Sequence, residues 1–209
     1  FASIYGMVEI IMGEANLTDD QKKSLGLILN SIEFTLDYFN KLLSWTKLGH
    51  QEILLEKKNT SMAHLFNVVI KVMAKKAEQK NITIINSIDE NLALNVDTTF
   101  FRQVVANIIG NALKFTPKNG SVKCFSEYEK DKVLLIISDT GVGMPAELTI
   151  DKLLETSIFR STRGTNGEKG TGLGLGICKK ILDAHQFEFN FKNNPDIGTS
   201  FIIAVSQTS

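Results

Sequence analysis

No run of this 209-residue chain is apolar for long enough to cross a bilayer. The longest apolar stretches, Val133 to Ile137 and Phe201 to Val205, are strand-sized, against the roughly 20 residues that a membrane helix needs. No signal peptide is visible either. Excess charge is missing too: 23 Lys plus Arg face 23 Asp plus Glu. That balance gives no general pull towards nucleic acid or anionic lipid, so any phosphate recognition must be local. Cysteine is scarce. Cys124 and Cys178 lie far apart, with no CxxC and no His/Cys cluster, which argues against structural zinc and for two small buried side chains in a reducing, cytoplasmic setting. Repeats and low-complexity tracts are absent. The chain opens on Phe1 and is expected to be a piece of a longer protein, with any membrane attachment carried by segments outside this sequence.

What is present divides in two. In the first 45 residues the apolar positions follow helical spacing: Ile4, Met7, Val8 and Ile11 form one stripe, and Leu25, Ile28, Ile32, Leu36, Phe39 and Leu43 another. Thr18-Asp19-Asp20-Gln21 reads as a capping box that starts the second helix. The pattern predicts an αα-hairpin over 1–48. Two helices bury too little surface alone, so the stripes are expected to meet a second copy in a dimeric four-helix bundle, or else to pack on the rest of the same chain. Residues 49–60 are polar and read as a linker.

From residue 61 the pattern changes. Ser61 or Thr60 caps a helix to about Lys80, and Ile82 to Ile85 is strand-like. Asp97 caps a helix to about Lys114. Strands are expected over 121–129 and 132–138 around a turn at Lys130-Asp131, then a helix over 173–184 and strands over 187–191 and 199–205. The order implies an α+β fold, an α/β sandwich with helices on one face of a mixed sheet across 61–209.

Three motifs carry chemistry. Asn107 and Asn111 stand four apart on a helix, so both carboxamides share a face and could offer oxygens to magnesium, with Lys114 one turn on to reach a phosphate. Alone, such residues are as readily surface or capping groups. Asp139-Thr140-Gly141-Val142-Gly143 follows a strand. There an Asp is an acceptor suited to the exocyclic amine of adenine, and glycine lets a ligand approach the backbone, although a plain turn would look the same. Gly170-Thr171-Gly172-Leu173-Gly174-Leu175 runs into a helix start, where unpaired amides attract an anion; ligand-free capping glycines are the alternative. Neither a P-loop nor a dinucleotide fingerprint fits.

Taken together, the Asn motif, DTGVGMP and EKGTGLGL resemble the GHKL ATP-binding superfamily, and within it the sensor histidine kinases of two-component systems. Phe159-Arg160 is similar to that family's phenylalanine box and Gly198-Thr199-Ser200-Phe201 to its closing GT motif. The resemblance implies ATP and Mg2+ as cofactors. Asp139 would recognise adenine with Phe115 against the base, Asn111 aided by Asn107 would hold magnesium, and Lys114 would contact phosphate. Gly141, Gly143 and Thr199 would shape the pocket. Gly170, Thr171, Gly172, Leu173 and Gly174 would flank the phosphates, and residues 144–169 would form a mobile lid. Arg160 or Arg163 would meet the γ-phosphate, Arg163 being the better placed; either could equally be a solvated charge.

One position separates reactions within the superfamily. Its ATP-hydrolysing members carry a glutamate general base where this chain has Asn107, and a neutral carboxamide cannot take a proton from water in that way. Transfer to a histidine imidazole is then expected, followed by relay to the receiver domain of a response regulator. The family's acceptor pattern, His-[Glu/Asp]-x-[Arg/Lys]-[Thr/Ser]-Pro, does not occur; His50, His64 and His185 all stand in other contexts. The resemblance therefore implies a histidine kinase core whose acceptor lies upstream of Phe1. A nucleotide-binding dimeric scaffold is the alternative.

Overall fold

The computed structural model describes residues 2–13, 17–22, 24–26, 28–29, 31–32, 35–36, 54–145, 152, 163–168 and 170–206. In the N-terminal part, α1 spans Ala2–Met12. The capping box forms as its chemistry requires: the Gln21 amide donates to Thr18 Oγ1 at 3.3 Å, and Thr18 N donates back to Gln21 Oε1 at 2.9 Å. Val8 and Ile32 are buried, whereas Ile4, Met7, Ile10, Ile11 and Ile28 are exposed. Of the second stripe, Phe39 and Leu43 lie outside the described residues.

The remaining elements are β1 (Lys57–Ser61), α2 (Met62–Gln79), β2 (Thr83–Ser87), β3 (Ala93–Asp97), α3 (Thr98–Phe115), β4 (Ser121–Glu129), β5 (Lys132–Asp139), α4 (Gly174–His185), β6 (Glu188–Asn193) and β7 (Thr199–Ser206). Five strands make a mixed sheet in the order β2-β4-β5-β7-β6, with β2 parallel to β4 and the other pairs antiparallel. β1 and β3 form a separate antiparallel pair, Lys57 opposite Asp97 and Ser61 opposite Ala93. This corrects the expected linker at its end: residues 57–60 are strand. Lys57-Lys58-Asn59-Thr60 has no apolar alternation, so the strand exists through pairing with β3 rather than through a buried face of its own.

α2 and α3 begin where their caps predict. Ser61 accepts from His64 N at 3.4 Å, and Asp97 Oδ1 accepts from Thr99 N and Phe100 N at 3.0 and 3.1 Å. Period-3.6 faces then cover the sheet: Leu65, Phe66 and Val69 from α2, Phe101, Val104, Val105 and Ile108 from α3, and Ile177, Ile181 and Leu182 from α4. Opposite them lie Val133, Leu135 and Ile137 of β5 with Phe201 and Ile203 of β7. Burying each of these large side chains stabilises the fold by about 1.5–3 kcal/mol. Cys124 and Cys178 are fully buried thiols in this core, and burial pushes the Cys124 thiol up to about 12.

Two consequences of this packing position the site. Along β5 the period of two that puts Val133, Leu135 and Ile137 on the helix-facing side also puts Asp139 there, at the strand's end. On α3, burying Val104, Ile108 and Ile109 turns Asn107, Asn111 and Lys114 to the rim of the core, where they are half-buried.

Candidate nucleotide site

The helix α3 supplies the first wall. Asn107 Nδ2 is buried and has no hydrogen-bond partner among the described residues. A buried amide left unpaired costs about 1–3 kcal/mol, so a further group, from a ligand or from the rest of the chain, is expected to satisfy it. A Cβ added to Gly174 would stand 3.4 Å from Asn107 Oδ1. The Asn helix and the glycine loop therefore meet with almost no spare space. The Asn107 oxygen beside a loop of amides, with Asn111 one turn along the same helix, offers the neutral oxygens that suit a hard, hydrated cation sharing phosphate oxygens, so the pair fits magnesium.

The second wall is built around Asp139, which is 4% exposed. Its Oδ1 accepts from Gly141 N at 2.8 Å and Thr199 N at 3.2 Å. Both bonds fall on one oxygen, and Oδ2 takes none among the described residues. Burial pushes the carboxyl above the usual range, and the two amide hydrogen bonds offset this only in part. Gly141 is required by crowding: a Cβ there would lie 2.6 Å from Asp139 Oδ1 and 2.7 Å from the Phe115 carbonyl oxygen. Positive φ belongs instead to Gly143, at +75°. Phe115 is half-buried with the Lys114 ammonium 4.7 Å from its ring centroid, and its carbonyl accepts from Val142 N at 3.3 Å.

The β6–β7 hairpin braces this loop through residues that the sequence reading missed. Asn193 pairs with Met144 like a peptide group, accepting from its N–H at 2.8 Å and donating to its carbonyl at 2.7 Å. Asn194 Nδ2 donates to the Asp139 carbonyl at 2.9 Å and to Ser138 Oγ at 3.1 Å. Gly198, with φ +95°, lies so close that a Cβ would come within 1.8 Å of the same carbonyl. Asparagines in a hairpin look like ordinary turn formers, so their partners some fifty residues away left no signal.

The glycine loop is the third wall. α4 begins at Gly174 after an N-cap residue, Leu173, that makes no side-chain capping bond, so its first-turn amides are not taken by a side chain there. Thr171 Oγ1 accepts from Leu173 N at 3.3 Å, and Gly172 adopts φ +75°. Gly170 leads into this turn half-buried.

Residues 163–168, expected to belong to a mobile lid, form a hydrogen-bonded turn docked on the end of α3. Gly164 N donates to the Glu168 carbonyl at 2.9 Å and Thr165 N to the Lys114 carbonyl at 3.1 Å. Lys80 Nζ meets Glu168 Oε1 at 2.9 Å. Partial burial works to raise the Glu168 carboxyl, but the Lys80 hydrogen bond and two backbone amides outweigh it and leave the group below its ordinary value. Gly164 and Gly167 both lie in this turn, with the Gly167 amide donating to the Gly164 carbonyl at 3.0 Å. Phe159 and Arg160 lie outside the described residues. Arg163 is exposed and has no partner among the described residues, so nothing there joins it to the other site residues.

His64 is exposed in the first turn of α2. His185 is buried: Nδ1 lies 2.8 Å from the Ile181 carbonyl, and Nε2 accepts from Asp97 N at 3.0 Å. Those bonds fix the neutral Nδ1–H tautomer, and burial lowers its pKa.

Comparison with known proteins adds a family. The family described as "Histidine kinase-, DNA gyrase B-, and HSP90-like ATPase" matches residues 96–209. Among curated relatives, the sensor histidine kinase YclK of Bacillus subtilis is 27% identical over 208 residues, 99% of this chain and 44% of its own length. The chain thus spans less than half of that relative. Full-length ShkA in complex with AMPPNP superposes with a TM-score of 0.72 at 25% identity, over 96% of this chain and 42% of that one. The histidine kinase ThkA in complex with the response regulator TrrA superposes with a TM-score of 0.68 at 26% identity, over 99% and 57%.

Proposed function

The chain belongs to the histidine kinase-, DNA gyrase B- and HSP90-like ATPase family, and we propose that it is the core of a histidine kinase that binds Mg-ATP and passes the γ-phosphoryl group to a histidine. The observation that carries this reading is the buried Asn107 amide, without a partner among the described residues and set against Gly174 at the rim of the same helix layer that Asp139 faces. In the proposed roles Asp139 Oδ2 accepts from the adenine amine and Phe115 lies against the base. Lys114 and the amides of Gly170 to Gly174 meet the phosphates, with Thr171 and Leu173 forming the bend between the glycines. Asn107 and Asn111 hold magnesium, which neutralises phosphate charge when bound. Asn107 cannot act as a general base, which favours transfer over hydrolysis.

The acceptor is proposed to come from outside this sequence, because none of His50, His64 and His185 stands in the family's acceptor pattern and His185 is also sealed in the core by two hydrogen bonds. The nucleotide-binding unit is taken to start at β1, preceded by a dimerising hairpin over 1–48. The exposed Ile4, Met7, Ile10 and Ile11 support that hairpin as an interface with a second copy. A receiver domain is the proposed recipient of the phosphoryl group, supported by the ThkA–TrrA complex. Titration calorimetry with ATP and magnesium tests the first step: heat of binding is expected, and a flat titration of folded protein defeats the reading. In the parent protein, acid-labile label from γ-labelled ATP tests the second, and steady phosphate release without labelling would favour a hydrolase.

A further inference from the structure

We propose that Lys80 is a positioning residue for the phosphate end of this site, its ammonium fastening the turn at 163–168 to the last turn of the Asn helix and so setting the course of Lys114. The inference rests on the nucleotide-binding reading above. Lys80 stands at the C-cap of α2, far in sequence from the three motifs, and is only 5% exposed. Its Nζ donates to the Leu113 carbonyl at 2.7 Å and the Lys114 carbonyl at 3.1 Å. It also reaches Thr165 Oγ1 at 2.7 Å and Glu168 Oε1 at 2.9 Å. An ammonium has three protons, so the two neighbouring carbonyls share one of them.

Each partner has a physical reason to be there. The final carbonyls of a helix lack intrahelical donors and carry the negative end of its dipole, which a cation complements. Glu168 balances the buried charge, and its Oε2 accepts from Asn166 N at 2.8 Å, closing the turn on itself. Thr165 completes the join by donating through Oγ1 to the Thr116 carbonyl at 2.9 Å. The turn also touches Lys114 directly. A Cβ on Gly164 would fall 2.6 Å from Lys114 Cγ and 2.3 Å from Glu168 Oε2, so the bare glycine backbone is packed against the Lys114 stem. If Lys80 lost its charge, Glu168 would be left half-buried without a counter-ion, and the turn would lose what presses it on Lys114.

A simple capping role and a positioning role predict different ligand dependence. Adenosine meets only the Asp139 side of the site, whereas ADP and ATP also use the phosphate end. Three variants, Lys80→Met, Glu168→Gln and Thr165→Val, are to be titrated calorimetrically with adenosine, ADP and Mg-ATP, beside a thermal melt of each. The expected result is adenosine affinity within about twofold of the parent, with ADP and ATP weakened about tenfold or more in Lys80→Met and Glu168→Gln. Lys80→Arg is expected to recover part of the loss. If Lys80→Met does not fold, the other two variants still decide, because both keep the cation on the helix end. Folded Glu168→Gln and Thr165→Val proteins with parental ATP affinity overturn the proposal, as does an equal loss of adenosine and ATP. A parent protein that binds no nucleotide at all defeats the functional reading itself, and this inference with it.

Discussion

Replacing Asp139 by asparagine changes one atom of the side chain and exchanges an acceptor for a donor. The amides of Gly141 and Thr199 both donate to Oδ1, at 2.8 and 3.2 Å. They therefore fix the new carboxamide with its oxygen towards the backbone and its Nδ2 towards the proposed base. In the proposed pose adenine presents its exocyclic amine, a donor, to that atom. A hydrogen bond to a charged group contributes about 1.5–3 kcal/mol, and each 1.4 kcal/mol is about tenfold, so Asp139→Asn is expected to weaken ATP by roughly 10- to 150-fold. Guanine carries an acceptor oxygen at the equivalent place, so the ratio of ATP to GTP affinity should shift towards GTP. Stability should move the other way. Because the folded carboxyl has a raised pKa, the folded state holds its proton more firmly than the unfolded chain, and ionisation above the usual value of 3.8 costs stability as pH rises. The neutral variant escapes that cost and should melt no lower than the parent at pH 7. Calorimetric titrations with ATP and GTP, beside melts at acid and neutral pH, measure both effects. A folded Asp139→Asn protein that binds ATP within twofold of the parent refutes the reasoning.

Other perturbations address separate parts of the molecule. Asn111→Ala is expected to erase the gain in ATP affinity that magnesium gives over EDTA, a loss of about tenfold or more, read by titration with and without the metal. Gly198→Ala drives a methyl into the Asp139 carbonyl at positive φ, and crowding plus strain should cost roughly 2–6 kcal/mol, seen as a melting point lowered by more than about 5 °C or as failure to fold. Gly110→Ala, in the middle of α3 with nothing within 4 Å, should stabilise by about 0.5–1 kcal/mol in the same assay. His185 has a lowered pKa through burial, with Lys57 adding to the effect and the Ile181 carbonyl and Asp97 opposing it. The stability tied to its neutral form is complete above the unfolded value of about 6.5 and is lost as pH falls below it, which a pH series of denaturant melts would show. Nitrogen-detected NMR should find the proton on Nδ1.

Much of the part from residue 61 onward was legible because its signals are local. β4 alternates apolar and polar residues at its start, β5 carries a five-residue apolar run across a polar turn from it, and Asp97 caps α3 within one turn of itself. β1 was hidden because five polar residues give no periodicity, and β3 because Ala93–Asp97 is short, with Ala93, Leu94 and Val96 its apolar positions and Asp97 already read as a cap. The site divides in the same way. Asn107, Asp139 and Gly174 announce themselves in motifs. Asn193, Asn194, Lys80 and Glu168 do not, since each acts through a partner at a sequence distance of 49 to 88 residues. A lysine at a helix end reads as a dipole complement, and only its burial reveals the four acceptors around it.

The bracing of the Asp139 loop by the β6–β7 hairpin also sets an order of events during synthesis. A nascent chain that has emerged from the ribosome through α4 holds every motif asparagine, the aspartate and the glycine run, yet it still lacks the Thr199 amide, the Asn194 carboxamide and the close-packed Gly198. The bracing of the proposed adenine site is finished only when the last two strands join the sheet. Nucleotide capture would thus report that this final hairpin has docked.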